Sequence, residues 1–190
     1  MSSRSAILEG IRENKPASRP LPTMPPDPPR PSTEAWEAAF REVLTASKTS
    51  FIQPRELAAL VRDPAYRTVV STLPDAAGNL DVRAIDDPLQ LAGVDLAVLE
   101  ARIGVAENGA MWVSETESLH RVLPFITQHL VLVLDRKNLV GTMHEAYRRV
   151  KIDATGFGVF IAGPSKTADI EQSLVIGAHG PRSLVVCLRD

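Results

Sequence analysis

A chain of 190 residues, 44% hydrophobic and 23% charged, is of single-domain length and can bury a sizeable core. Its formal net charge of −2 argues against nucleic acid as a main partner, because neutralising phosphates requires clustered lysine and arginine. One cysteine, Cys187, excludes a disulfide within the chain and any iron–sulfur cluster built from its own thiolates.

No signal-peptide core and no window of about 20 apolar residues is present, so the expectation is a cytoplasmic protein without membrane insertion. Ile7, Leu8 and Ile11 fit one face of a short helix over residues 5–13, in a leading segment of residues 1–14. That helix cannot bury its face alone, and docking on the main body or a neighbouring subunit is expected. Residues 15–32 follow, with Pro16, Pro20, Pro22, Pro25, Pro26, Pro28, Pro29 and Pro31. Such density forbids a helix and predicts an extended polyproline-II arm or linker.

The main domain is then residues 33–190. Ser32 or Thr33 caps a helix whose buried stripe is Trp36, Phe40, Val43 and Leu44, with Glu34 and Glu37 at its positive end. Phe51–Ile52 reads as a short strand, and Pro54 opens a helix carrying Leu57, Leu60 and Val61. Thr68–Thr72 reads as a strand, and Asp75–Gln90 as turns, with Asp86-Asp87 a solvated turn rather than a metal site. Val94–Leu99, Ala110–Val113 and Leu130–Leu134 are strand candidates, followed by a helix over residues 138–150. Phe157–Ala162 and Ser183–Leu188 complete the sheet, with Cys187 a buried thiol in the last strand. Alternating strands and helices, several strands apolar on both faces, predict a three-layer α/β/α sandwich with a mostly parallel or mixed central sheet.

Chemistry concentrates between Gly163 and Pro181. Pro164 ends the preceding strand, Ser165 and Thr167 are N-cap residues, and Ile170, Leu174 and Val175 predict a helix over Ala168–Val175. Helix-start N–H groups, the hydroxyls of Ser165 and Thr167, Lys166 and the turn at Gly163 together make an anion site; a well-capped turn with a solvated lysine fits the same residues. Asp169 and Glu171 suit the helix dipole at roughly 0.3–1 kcal/mol each, and Asp169 is also placed to handle a proton. His179, between Gly177 and Gly180-Pro181, is either a structural hydrogen-bonder or a catalyst on a tight loop. Glu107, in a glycine-bounded segment, is either a base or nucleophile or a carboxylate that binds turn N–H groups. His120, His129 and His144 lack metal-ligand spacing, so no metal site is expected. Nucleophile-elbow, Walker and dinucleotide-binding motifs are absent.

The run Gly163-Pro164-Ser165-Lys166-Thr167-Ala168-Asp169-Ile170-Glu171, followed by Gly177-Ala178-His179-Gly180-Pro181, resembles the signature of the lactate utilization (LUD) family. Ala106-Glu107-Asn108-Gly109 stands where that family has Ala-Glu-Thr-Gly, with Asn108 in place of threonine. The opening run of residues 3–12 is also similar, and the resemblance covers most of residues 36–190. It implies the NagB/RpiA/CoA transferase-like fold of glucosamine-6-phosphate deaminase, ribose-5-phosphate isomerase and the CoA transferases, whose reactive carboxylate is also a glutamate. Fold kinship alone does not assign chemistry. The resemblance further implies a component of a cytoplasmic system that oxidises L-lactate to pyruvate. That oxidation releases two electrons, and with no cofactor motif of its own the chain is expected to act beside iron–sulfur partner proteins. Two other readings stand next to it. One is an enzyme acting on a phosphorylated sugar, nucleotide or CoA-like anion at the Gly163–Thr167 loop. The other is a non-catalytic interaction module that docks through its proline arm and leading helix.

Overall fold

Short apolar strands, each followed by a capped turn or helix, set the architecture of the computed structural model, which describes residues 2–20, 22–23, 32–150, 156–170 and 173–190. Residues 168–170 and 173–174 are described by their backbone alone. Helix α1 (Ser3–Glu13) starts where the Ser2 hydroxyl accepts from the Ser5 N–H, and it buries none of its residues. Ile7 and Ile11 on it stand 63% and 62% exposed. Helix α2 (Thr33–Ala46) is capped by Ser32, whose Oγ accepts from the Ala35 N–H at 3.2 Å, and it seats Phe40 and Leu44 in the core. Strand β1 (Ser50–Ile52) leads through Pro54 into α3 (Pro54–Val61), and β2 (Val69–Ser71) follows. Between β2 and β3 (Leu96–Ala101), the Asp81 and Asp87 side chains accept from Arg83 and Leu89 N–H groups and start two 3-10 turns.

After β3 the chain forms β4 (Ile103–Val105), β5 (Met111–Ser114), α4 (Glu115–Ser118), α5 (Leu123–Ile126) and β6 (His129–Asp135). Then come β7 (Leu139–Val140), α6 (Met143–Arg149), β8 (Gly158–Ile161), β9 (Lys166–Ile170), β10 (Ser173–Ile176) and β11 (Ser183–Arg189). Five strands pair in the order β1-β11-β6-β3-β2, every pair parallel. Side-chain alternation divides this sheet between two cores. Leu130, Leu132 and Leu134 of β6 face one core with Phe40 and Leu44, while Val131 and Val133 face the other with Leu57 and Val61. A parallel sheet buried on both faces needs such near-continuous apolar strands. Cys187 of β11 is on the α3 side, where burial pushes its thiol above the ordinary cysteine range.

Helices therefore cover both faces of the parallel sheet, a three-layer α/β/α arrangement with α3 on one side and α2 on the other. The single sheet expected from the sequence is divided, however. Strands β7-β4-β5-β8 form a second, four-stranded sheet whose inner side packs with α2 on the first, and α6 covers its outer side through Ala146. The division begins at Arg102, exposed between β3 and β4, whose N–H turns to the Trp112 carbonyl. The helix expected over residues 138–150 is shorter for the same reason. Leu139 and Val140 pair in parallel with β4, and the helix begins only after Thr142, whose hydroxyl accepts from the Glu145 N–H.

The helix expected over Ala168–Val175 is absent. Lys166–Ile170 and Ser173–Ile176 form an antiparallel hairpin instead, with Val175 opposite Thr167 and Ile176 opposite Lys166. Thr167, Ile170, Val175 and Ile176 are β-branched and suit a pleated ribbon, and a run this short fits either period. Among the described residues, no helix is long and apolar enough to cross a membrane.

Candidate functional site

The hairpin β9–β10 brings the two halves of the glycine-rich segment back to one place. At its base the Ser165 N–H donates to the Pro181 carbonyl, and the Gly177 N–H to the Ser165 carbonyl, both at 2.9 Å. The strands of the hairpin thus leave the body side by side, and the loops flanking them together line a cavity of about 260 Å³. Gly163, Ser165, Lys166 and His179 line it, with Phe125 of α5 and Phe160 of β8 among its apolar walls.

Two glycines permit this closure. Gly163 has φ +102°, and a Cβ there would lie 3.2 Å from the Ser47 Cβ. A Cβ at Gly180 would lie 3.1 Å from the Ser165 Cβ, so a side chain there would push the two loops slightly apart. The cavity opens where β8 ends and beside the start of the parallel strands. The residues after it are fixed there by Arg182 N–H donating to the Gln128 carbonyl and by a 2.7 Å hydrogen bond between His129 Nδ1 and Ser183 Oγ.

The sequence-derived site residues fall into three groups. Gly163, Ser165, Lys166 and His179 share the cavity, with Lys166 and His179 exposed. The Thr167 hydroxyl donates to the Val175 carbonyl across the hairpin and is not among the cavity's lining residues. Glu107 is exposed in the β4–β5 turn, and its Oε1 accepts from the Met143 N–H at 2.6 Å, the first N–H of α6. Antiparallel pairing of Met111 with Ile161 puts that turn at the same end of the four-stranded sheet as Gly163. Two strand spacings, roughly 10 Å, still separate the ends of β4 and β8. Asp169 has its backbone in β9, its side chain lies outside the described residues, and Glu171 is wholly outside them. With no helix after Ser165, the anion site loses the helix-start N–H groups and dipole expected from the sequence. What remains is a lysine, an imidazole, a hydroxyl and loop backbone.

Pro124 and Phe125, on the far wall, carried no signal beyond the proline that opens α5. At the opposite end of the parallel sheet, the strand termini are tied by ion pairs. Arg189 Nε donates to Asp135 and its Nη2 lies 3.2 Å from Glu100, while Arg136 Nε lies 2.9 Å from Glu37. The Arg189 hydrogen bond holds the Asp135 carboxyl below the usual carboxylate range.

The fold defines an α/β protein built on an open parallel sheet, with its glycine-rich loops gathered at a single cavity. The chain belongs to the LUD domain family, whose profile matches residues 84–188, more than half of its length. Lactate utilization protein C of Geobacillus kaustophilus is 30% identical over 133 residues, covering 66% of this chain and 53% of that protein. Lactate utilization protein C of Shouchella clausii is 32% identical over 93 residues, 46% of this chain and 40% of that one. An uncharacterized protein of Neisseria meningitidis serogroup B is 33% identical over 96 residues, 49% and 41% of the two chains. The chain thus spans about half the length of the curated relatives it matches. Its fold is similar to the crystal structure of a DUF162 family protein from Deinococcus radiodurans, with a TM-score of 0.64 over 84% of this chain and 99% of that one. Sequence identity to that protein is 16%, so the likeness is one of fold alone.

Proposed function

We propose that this protein acts in lactate utilization, as a cytoplasmic component of a system that oxidises L-lactate to pyruvate beside iron–sulfur partner proteins. The observation that carries this reading is the likeness to proteins named lactate utilization protein C, taken with the LUD domain match over residues 84–188, a range that contains the cavity residues. The need for partners follows from composition, since one buried cysteine does not supply the thiolate set of a cluster. Within this reading the Gly163–Lys166 and His179–Pro181 loops take a small anion. A volume of about 260 Å³ is below the 300–1,000 Å³ of sites for drug-sized ligands, which favours a small carboxylate or phosphate over a whole nucleotide or CoA.

A specific observation also favours a docking role. The apolar stripe of α1 is exposed, as an interaction arm requires.

Deleting the gene is expected to impair growth of the source cell on L-lactate while sparing growth on pyruvate. Restoring the intact gene should rescue growth, and a folded Lys166→Ala/His179→Ala version should rescue poorly. Normal growth on lactate, with no other lactate dehydrogenase present, overturns the lactate assignment. Full rescue by the double variant overturns the cavity's role and leaves that assignment standing.

A further inference from the structure

We infer that a second ligand site, independent of the lactate reading, lies in the cleft between the outer face of the four-stranded sheet and the C-terminal end of α6. The ligand it fits is an organic anion with an apolar body. The cleft has a volume of about 420 Å³, within the range of small-molecule sites. Its lining is divided by chemistry. Ile103, Trp112 and Val150 supply apolar surface, while Arg102 and Arg149 supply positive charge.

Arg102 is held in place for this role. Its Nε and Nη2 each lie 2.7 Å from Glu117 Oε1. The Glu117 side chain is only 5% exposed, and its other oxygen accepts from the Ser114 N–H at 3.1 Å and from the Ser114 hydroxyl. A buried carboxylate with all these donors orients the guanidinium, whose side chain is still 61% exposed and retains N–H groups for a ligand. Arg149, in the last turn of α6, is exposed and has no ion-pair partner among the described residues. Two guanidiniums against one carboxylate leave the wall with net positive charge, and a fork of N–H donors matches carboxylate or phosphate oxygens. The apolar side is equally fixed, because the Trp112 ring packs at 4.8 Å on Phe160. Arg102 directly follows the C-terminal end of β3, and Asn138 lines the cleft beyond the end of β6. Open parallel α/β sheets place their ligands at this edge.

The test titrates phenyl phosphate and phenylacetate into the whole chain and follows the two tryptophan indole N–H signals by NMR, with Trp112 assigned through Trp112→Phe. Either anion should shift the Trp112 signal saturably, and the tighter of the two assigns the head group. Neutral benzyl alcohol and inorganic phosphate, each carrying half of the chemistry, should bind at least about tenfold more weakly. Arg149→Ala, at an exposed position without an ion partner, should weaken the aromatic anion about tenfold and leave the thermal midpoint unchanged. Lys166→Ala/His179→Ala should leave this binding intact. An unmoved Trp112 signal, equal affinity in Arg149→Ala, or loss of binding in the Lys166→Ala/His179→Ala variant overturns the proposal.

Discussion

Arg189 links three strand ends, since its guanidinium reaches Asp135 of β6 and Glu100 of β3 from β11. Because that contact depresses the Asp135 pKa, the carboxylate stabilises the fold above its unfolded value of about 3.9. The contribution is lost as pH falls through the lower folded value, where the native state must also take up the proton. Urea unfolding between about pH 2 and pH 6 should show stability falling with acid. Arg189→Ala should lower the plateau and flatten that acid-dependent loss, because Asp135 then titrates closer to its unfolded value. An unchanged slope in the variant would show that Asp135 is not linked to folding through Arg189. Cys187 lies on the same face of β11 and has the opposite environment, with burial disfavouring its thiolate.

The hairpin β9–β10 is entered through a constrained turn. Gly163 adopts a left-handed φ against the Ser47 end of α2, so Gly163→Ala combines backbone strain with a side-chain conflict. The expected cost is about 1–3 kcal/mol, read as a lower thermal midpoint, with weaker response to any anion held in the adjoining cavity. A variant as stable as the parent would mean that the turn relaxes without cost. This is also the element that the sequence read incorrectly. Ile170, Leu174 and Val175 satisfy a helical period over too few turns to exclude a ribbon, and cross-strand pairing of Val175 with Thr167 decides the outcome. Longer signals were clear. The apolar runs Leu130–Leu134 and Ser183–Leu188, the helix cap at Ser32 or Thr33 and the Pro54 helix start all match elements in the structure. Strands β4 and β7 span three and two residues, too short for any periodicity, so the second sheet was not legible. The cavity was half legible. Its glycine-rich loops stand together in sequence with the run that carries Phe160, while Pro124 and Phe125 reach it only through the tertiary fold.

Across the whole molecule, β11 is inserted between β1 and β6, although it follows every other strand of the parallel sheet in the chain. Leu184, Val186 and Leu188 complete one core and Cys187 the other. A chain ending at residue 182 should therefore lack a cooperative thermal transition by circular dichroism, whereas one lacking residues 2–14 should keep it, because α1 buries nothing. Cooperative melting of the shortened C-terminus would show that β6, β3 and β2 are stable without their neighbour. The insertion also has a consequence for biosynthesis. While the ribosome is still decoding Ser183–Arg189, β6 and β1 stand with unfilled hydrogen-bonding edges and both apolar faces incomplete. The nascent protein spends that interval with those edges open or held by a chaperone, and it closes its sheet by threading the newest strand between the first-made strand of the sheet and the one made just before it.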